Sequence, residues 1–274
     1  MLINLTYNMN KKIKNWISFI LEQQNNSINF SIFDWDDNIL IMNTPLHLQH
    51  FENGRWINKD VSIQEFSNIR LKYPDNYVDN SEWKADKNSF IEFTDCGTRV
   101  ENVFLDDVKV AIKNKEFGPS WTEFIDTLKN GNLFAIITIR GHESNSIRKA
   151  IRHIIDYVLE PNIKEQLIEN IQRYNNLFKN KSIDLIEQYL DCCYFIGLMS
   201  QEFKDEYSYS PVGNKLNEGR QDAINKFSNY VKSIYPNATK EVFVNMEKSL
   251  NFPEIQYTRS TSDNKIPIGV RVKI

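Results

Sequence analysis

Two hydrophobic periods alternate along the chain, short continuous apolar runs and longer stretches in which apolar residues recur every three or four positions. Ile13, Trp16, Ile17, Ile20 and Leu21 predict an amphipathic helix ahead of the first strand, and the polar run from Gln23 to Ser27 ends it. Ile28 to Phe33 is β-branched and aromatic-rich and runs directly into Asp34, the pattern of a buried parallel strand that delivers an acid to its carboxyl end. Further on, Ser120 is placed to cap a helix whose apolar face is Trp121, Phe124, Ile125 and Leu128, with Asn130-Gly131 as its stop. Leu133 to Ile137 reads as a second buried strand ending at Thr138, and after Arg140-Gly141-His142 a helix carries Ile147, Ile151, Ile154, Ile155 and Val158.

The alternation continues. Leu167, Ile171, Tyr174 and Phe178 mark a helix and Tyr194 to Met199 a third strand. Ile224, Phe227, Val231 and Ile234 mark another helix, followed by Glu241 to Val244 as a fourth strand and Ile268 to Val272 as an edge strand. Such alternation predicts an α/β fold, a Rossmann-like and mainly parallel sheet flanked by helices. Between Met42 and Glu116 the pattern is irregular and broken by turn signals at Glu52-Asn53-Gly54, Tyr73-Pro74-Asp75 and Asp95-Cys96-Gly97. We therefore expect a core of residues 1–41 and 117–274, with 42–116 as an insertion or small cap.

Composition narrows this only a little. With 274 residues, 41% hydrophobic and 25% charged, the chain has enough apolar content for a sizeable core and is not of disordered type. A net charge of −3 gives no bulk attraction to nucleic acid or anionic lipid. No apolar run reaches the roughly 18 residues of a membrane span, and no signal-peptide pattern opens the chain, so a cytoplasmic protein with no membrane partner is expected. The adjacent Cys192 and Cys193 suit neither a disulfide framework nor zinc, and read as small buried hydrophobes.

The candidate chemistry lies at the strand ends. Asp34 and Asp36, one residue apart beyond the first strand, can both face the crevice where the chain leaves the sheet, and Asp37 adds a third acid. A carboxylate attacks phosphorus only if positive charge offsets the repulsion of two anions, and a second acid must serve the leaving oxygen and then water. Thr138, with the backbone amides of a helix N-terminus after it, suits phosphoryl oxygens, and Arg140, Gly141 and His142 are candidate substrate contacts. His142 could equally cap the helix. His47, His50 and Glu52 are too loosely spaced for a metal set and read as a polar loop. Trp56, Tyr77 and Trp83 read as packing under a cap, and Arg148, Lys149 and Arg152 as a solvated helix face.

Phe30 to Leu40, FSIFDWDDNIL, and Leu133 to His142, LFAIITIRGH, resemble the first two motifs of the haloacid dehalogenase (HAD) superfamily, and more closely a phosphatase-like branch met in phages and large viruses. The resemblance extends from Phe117-Gly118-Pro119-Ser120-Trp121 to the C-terminus. It implies a HAD-like core with a cap, Asp34 as nucleophile, Asp36 as acid/base and Thr138 as a phosphate-contacting hydroxyl. The third motif of that family places a lysine at the start of a helix. Here the helix begins near Gly219-Arg220-Gln221, so Arg220 is the candidate substitute and Lys215 the alternative. The fourth motif normally supplies acids for magnesium, whereas this chain has Asn245-Met246-Glu247-Lys248, leaving Asp34, Asp36 and Glu247 as the implied ligands. Asp263 is another acid, in a segment that reads as a turn.

Two functions of different class follow. One is a magnesium-dependent phosphohydrolase acting through an aspartyl-phosphate on a small phosphorylated substrate or nucleotide, with nucleic-acid ends disfavoured by the acidic balance. The other is a phosphate- or nucleotide-binding protein on the same fold, catalytically weakened by its altered third and fourth motifs.

Overall fold

A computed structural model describes residues 28–73, 79–86, 88–95, 103–178, 184–211, 215–244 and 270–273. The helix expected around Ile13 to Leu21 lies outside these residues, as do Tyr77, Cys96, Asn245, Glu247 and Asp263.

The main sheet has the order β6-β5-β1-β7-β8. Its strands are β1 (Asn29–Phe33), β5 (Leu133–Thr138), β6 (Tyr194–Gly197), β7 (Thr239–Val244) and β8 (Val270–Lys273). The first four are parallel, and β8 pairs antiparallel with β7 at the edge. The expected α/β fold with a mainly parallel, helix-flanked sheet is present. Its central strands are covered on both faces, which is why β1 and β5 read as continuous apolar runs rather than alternating ones: every residue of β5 is buried.

The helices are α1 (Ile63–Lys72), α2 (Val103–Asn114), α3 (Trp121–Lys129), α4 (Ser144–His153), α5 (Pro161–Ile171), α6 (Leu185–Asp191), α7 (Gln201–Tyr207) and α8 (Lys215–Ile234). Each long one buries a single stripe. In α8 the stripe is Gly219, Ala223, Ile224, Phe227, Ser228 and Val231, and Phe227 meets Phe30 of β1 edge to face at 5.7 Å between centroids. The apolar face predicted from Ile147 to Val158 continues past α4 through a turn of π-helix at Ile154–Val158. Ser120 precedes α3 without capping it, because its hydroxyl is turned to Asn38 instead.

Between residues 42 and 116 a second sheet, ordered β3-β2-β4, is formed by β2 (Leu46–Glu52), β3 (Arg55–Val61) and β4 (Trp83–Lys84). Leu46, Leu48, Val61, Ile69 and Trp83 give it a small core of its own. Met42, Phe104, Val108 and Ala111 do not belong to that core; they pack into the large one beneath the main sheet, carrying α2 with them. Arg148 and Arg152, expected on a solvated face, instead tie α4 to α6 and to the π turn, Arg148 through Glu187 and Asp191, and Arg152 through Asp156, Asp184 and Glu187. No helix among the described residues is long and apolar enough to cross a membrane.

Candidate functional site

The carboxyl ends of β1 and β5 bring Asp34, Asp36 and Thr138 together. Asp34 is the first residue past β1, and its backbone N–H still donates to the Phe243 carbonyl of β7 at 2.9 Å, so the strand ends in register before the chain turns. Its side chain is nearly buried. Oδ1 accepts the Trp35 N–H at 2.8 Å, and Oδ2 accepts Nη2 of Arg220 at 3.0 Å. The residue expected to replace the family's lysine therefore reaches the expected nucleophile from α8. Lys215, the alternative, stands exposed at the first residue of the same helix.

The turn that follows is held from within. Asp37 adopts a left-handed conformation, φ 54°, which aspartate tolerates better than most side chains. Asn38 is fully buried and donates to the carbonyls of Asp34 and Phe243, at 3.1 and 2.7 Å, while its Oδ1 accepts the Ser120 hydroxyl at 2.6 Å. Gly118 passes so close that a Cβ there would lie 2.3 Å from the Asn38 carbonyl oxygen. The segment 117–120 therefore buttresses the Asp34–Asn38 loop, and a side chain at 118 would push it away.

Asp36 is engaged differently. Arg140 Nε donates to both of its carboxylate oxygens, at 3.0 and 2.9 Å, and Nη2 donates to Oδ1 at 2.6 Å. The Thr138 hydroxyl donates to Oδ2 at 3.3 Å. The Arg140 side chain is fully buried whereas that of Asp36 is 21% exposed, so the carboxylate is the half of the pair that meets solvent. The guanidinium lies between two rings, 4.6 Å from the Phe93 centroid and 5.7 Å from that of Phe104. Arg140 therefore lies beneath the acid rather than at the surface as a substrate contact. Gly141 and His142 are also buried, His142 against the Phe104 ring at 5.0 Å between centroids.

Three of the backbone amides after Thr138 are engaged within the protein. Gly141 N–H donates to the Phe93 carbonyl at 2.8 Å, Glu143 N–H to Asp95 at 2.8 Å and Ser144 N–H to Glu202 at 2.7 Å. Glu143 in turn accepts the Gln201 and Glu202 amides at the start of α7. At the N-terminus of α4, expected to receive phosphoryl oxygens, two amides are taken by the protein's own carboxylates, Asp95 and Glu202. Gly197 makes this packing feasible, since a Cβ there would lie 2.4 Å from the His142 carbonyl.

Elsewhere, His47, His50 and Glu52 lie on strand β2 rather than in a polar loop: His47 pairs with Asp60 at 2.7 Å and lies 3.7 Å from the buried Glu92, and His50 pairs with Glu52 at 2.7 Å and stacks on Trp83. Among the described residues no three acids, histidines or cysteines are grouped to hold a metal ion. Magnesium keeps several waters and takes one or two carboxylates with substrate phosphates. Asp34, a hard oxygen donor at the strand end, fits that demand, whereas both oxygens of Asp36 are engaged by Arg140. The residues that the sequence left unremarked are Thr44, Asp107 and Phe93, all contributed by 42–116 and all reaching the site through or beside Arg140. No family model, curated protein or solved structure matches the chain.

Proposed function

We propose that this chain is a HAD-like, magnesium-dependent phosphohydrolase that works through an aspartyl-phosphate on Asp34. The observation that supports it is the 3.0 Å approach of Arg220 Nη2 to Asp34 Oδ2 from a helix remote in sequence. An attacking carboxylate and a phosphate ester repel each other, and a fixed guanidinium at the point of contact offsets that repulsion without reorganising. In the first half-reaction an Asp34 oxygen bonds to phosphorus, the bond from phosphorus to the leaving oxygen breaks, and Asp36 gives that oxygen a proton. In the second, Asp36 takes a proton from water, the water oxygen bonds to phosphorus, and phosphate leaves with Asp34 restored. Magnesium, which Asp34 would hold with Glu247 as the further implied ligand and without Asp36, whose oxygens Arg140 engages, would offset negative charge on the transferred group. Arg140 and Thr138 hold Asp36 in place, and the substrate class is a small phosphorylated compound or nucleotide.

The test is hydrolysis of an aryl phosphate with magnesium by the wild-type protein and by Asp34→Asn. Magnesium-dependent turnover abolished by the substitution is expected; no turnover, or turnover that survives it, overturns the reading. The engagement of both Asp36 oxygens by Arg140 favours a second reading, a phosphate- or nucleotide-binding protein without turnover. Calorimetry distinguishes the two: magnesium binding lost in Glu247→Gln speaks for the enzyme, and no magnesium binding for the second reading.

A further inference from the structure

A chain of buried polar contacts leads away from Asp36 and has no place in the proposed chemistry. Arg140 Nη2, besides holding Asp36, donates to the Thr44 hydroxyl at 2.8 Å, and that hydroxyl lies 2.5 Å from Asp107 Oδ2. The direction of these bonds is fixed by chemistry. A guanidinium has no acceptor, so Thr44 Oγ1 accepts from Arg140 and its single proton goes to Asp107. Thr44 is fully buried, Arg140 is 1% exposed and Asp107 8%. Burying three polar side chains in series is costly unless each is satisfied, and the cost recurs if any link is cut.

The relay also joins separate parts of the molecule. Asp107 lies on α2, packed with the main core; Thr44 precedes β2; Arg140 follows β5; and Asp36 follows β1. Without Thr44, the Arg140 fork would keep its bonds to Asp36 and its ring contacts but lose the anchor on the far side of Nη2, leaving the guanidinium free to shift with the acid it holds. A carboxylate on a shifting partner cannot present one oxygen reproducibly to a leaving group.

We propose that Thr44 is a positioning residue for Asp36, acting through Arg140 and anchored by Asp107. Resting on the phosphohydrolase reading for its kinetic consequence, this makes the loop entering the inserted sheet part of the catalytic machinery and not only a cover. Thr44 touches neither substrate nor reacting atoms, so its loss acts on kcat and leaves KM in place.

The experiment compares Thr44→Val, which keeps the shape and removes the hydroxyl, with Thr44→Ser, which keeps the hydroxyl. Aryl phosphate hydrolysis with magnesium is expected to show kcat lowered on the order of 10- to 100-fold in Thr44→Val with KM within about twofold, and kcat restored to within about threefold in Thr44→Ser. In parallel, the Arg140 Nη–H signals in a nitrogen-15 spectrum, assigned by their loss in Arg140→Lys, are expected to be resolved and protected from solvent exchange in the wild type and in Thr44→Ser, where Nη2 donates to the hydroxyl, and broadened by exchange in Thr44→Val. Thermal melts establish that each variant is folded. If Thr44→Val does not fold, Thr44→Ala, which also removes the hydroxyl, takes its place with the same expectations. Equal kcat across the folded variants, or an Arg140 signal that stays protected without the hydroxyl, overturns the proposal. If the wild type hydrolyses nothing, the phosphohydrolase reading fails by itself, and the exchange measurement still decides whether Thr44 anchors Arg140.

Discussion

Arg140, whose side chain is fully buried, holds both carboxylate oxygens of the partly exposed Asp36. Removing the acid leaves a buried guanidinium without its anion, which costs far more than the pair contributes when intact. Asp36→Ala is therefore expected to lower unfolding free energy by roughly 3 kcal/mol, read from urea melts. Asp34→Asn keeps a hydrogen-bonding side chain beside the more exposed Arg220 and should cost under about 1 kcal/mol. A reversed order would mean that the Asp36 pair does not carry the buried charge.

Arg220 reaches Asp34 from α8 through its Nη2. If its charge offsets the repulsion of attack, Arg220→Ala should lower kcat for an aryl phosphate by about 100-fold or more. Arg220→Lys should recover part of this, because an ammonium supplies charge without the planar fork. Equal rates in wild type and Arg220→Ala would remove Arg220 from the reaction.

How much of this was legible in the sequence follows from which interactions are local. The strands were, most plainly β1 and β5, which are buried on both faces and whose continuous apolar runs say so directly. Asp34, Asp36 and Thr138 were also legible as strand-end residues, whereas Arg220 was reached only through the resemblance, which put the start of its helix near Gly219 although the helix begins at Lys215. The inserted sheet was not. β2 and β3 carry His47, Gln49, Lys59 and Asp60 on half-open faces over a core of a few residues, so neither period dominates. Thr44 and Asp107 gave no signal at all, since a buried threonine and a helical aspartate acquire meaning only through Arg140, which is remote from both in sequence. The same limit explains the filled amides of α4, whose acceptors Asp95 and Glu202 come from other elements.

Gly118 is expected to be intolerant of a side chain. An alanine Cβ would meet the Asn38 backbone 2.3 Å away, closer than any real contact, and backbone cannot rotate aside. Gly118→Ala should cost about 2 kcal/mol of stability through the displaced loop. Because Asn38 and Asp34 share that loop, its kcat should fall as well. A stable and fully active Gly118→Ala would show that the Asp34–Asn38 turn is not set by this contact.

The Arg152 network makes a prediction in acid. The Arg152 guanidinium beside Asp184 holds its carboxyl below its ordinary value of 3.8, against the upward push of burial and with help from the Glu187 and Ile186 amides. At Asp156 burial pushes upward, but hydrogen bonds from Arg152 and Lys164 outweigh it and again hold the carboxyl low. For a carboxylate depressed in the folded state, the stabilisation is fully present above the unfolded pKa and is lost as pH falls through the folded one. Stability from this network should therefore be constant at neutral pH and decline below about pH 4. Arg152→Gln should cost about 1 kcal/mol at pH 7, discounted for solvent at these half-open side chains, and less at pH 3, where the wild type has begun to lose the same contribution. Urea melts of both proteins at the two pH values check this. An unfolding difference that grows in acid would assign the stability of α4 and α6 to packing of Ile147, Ile151 and Leu190 rather than to the ion pairs.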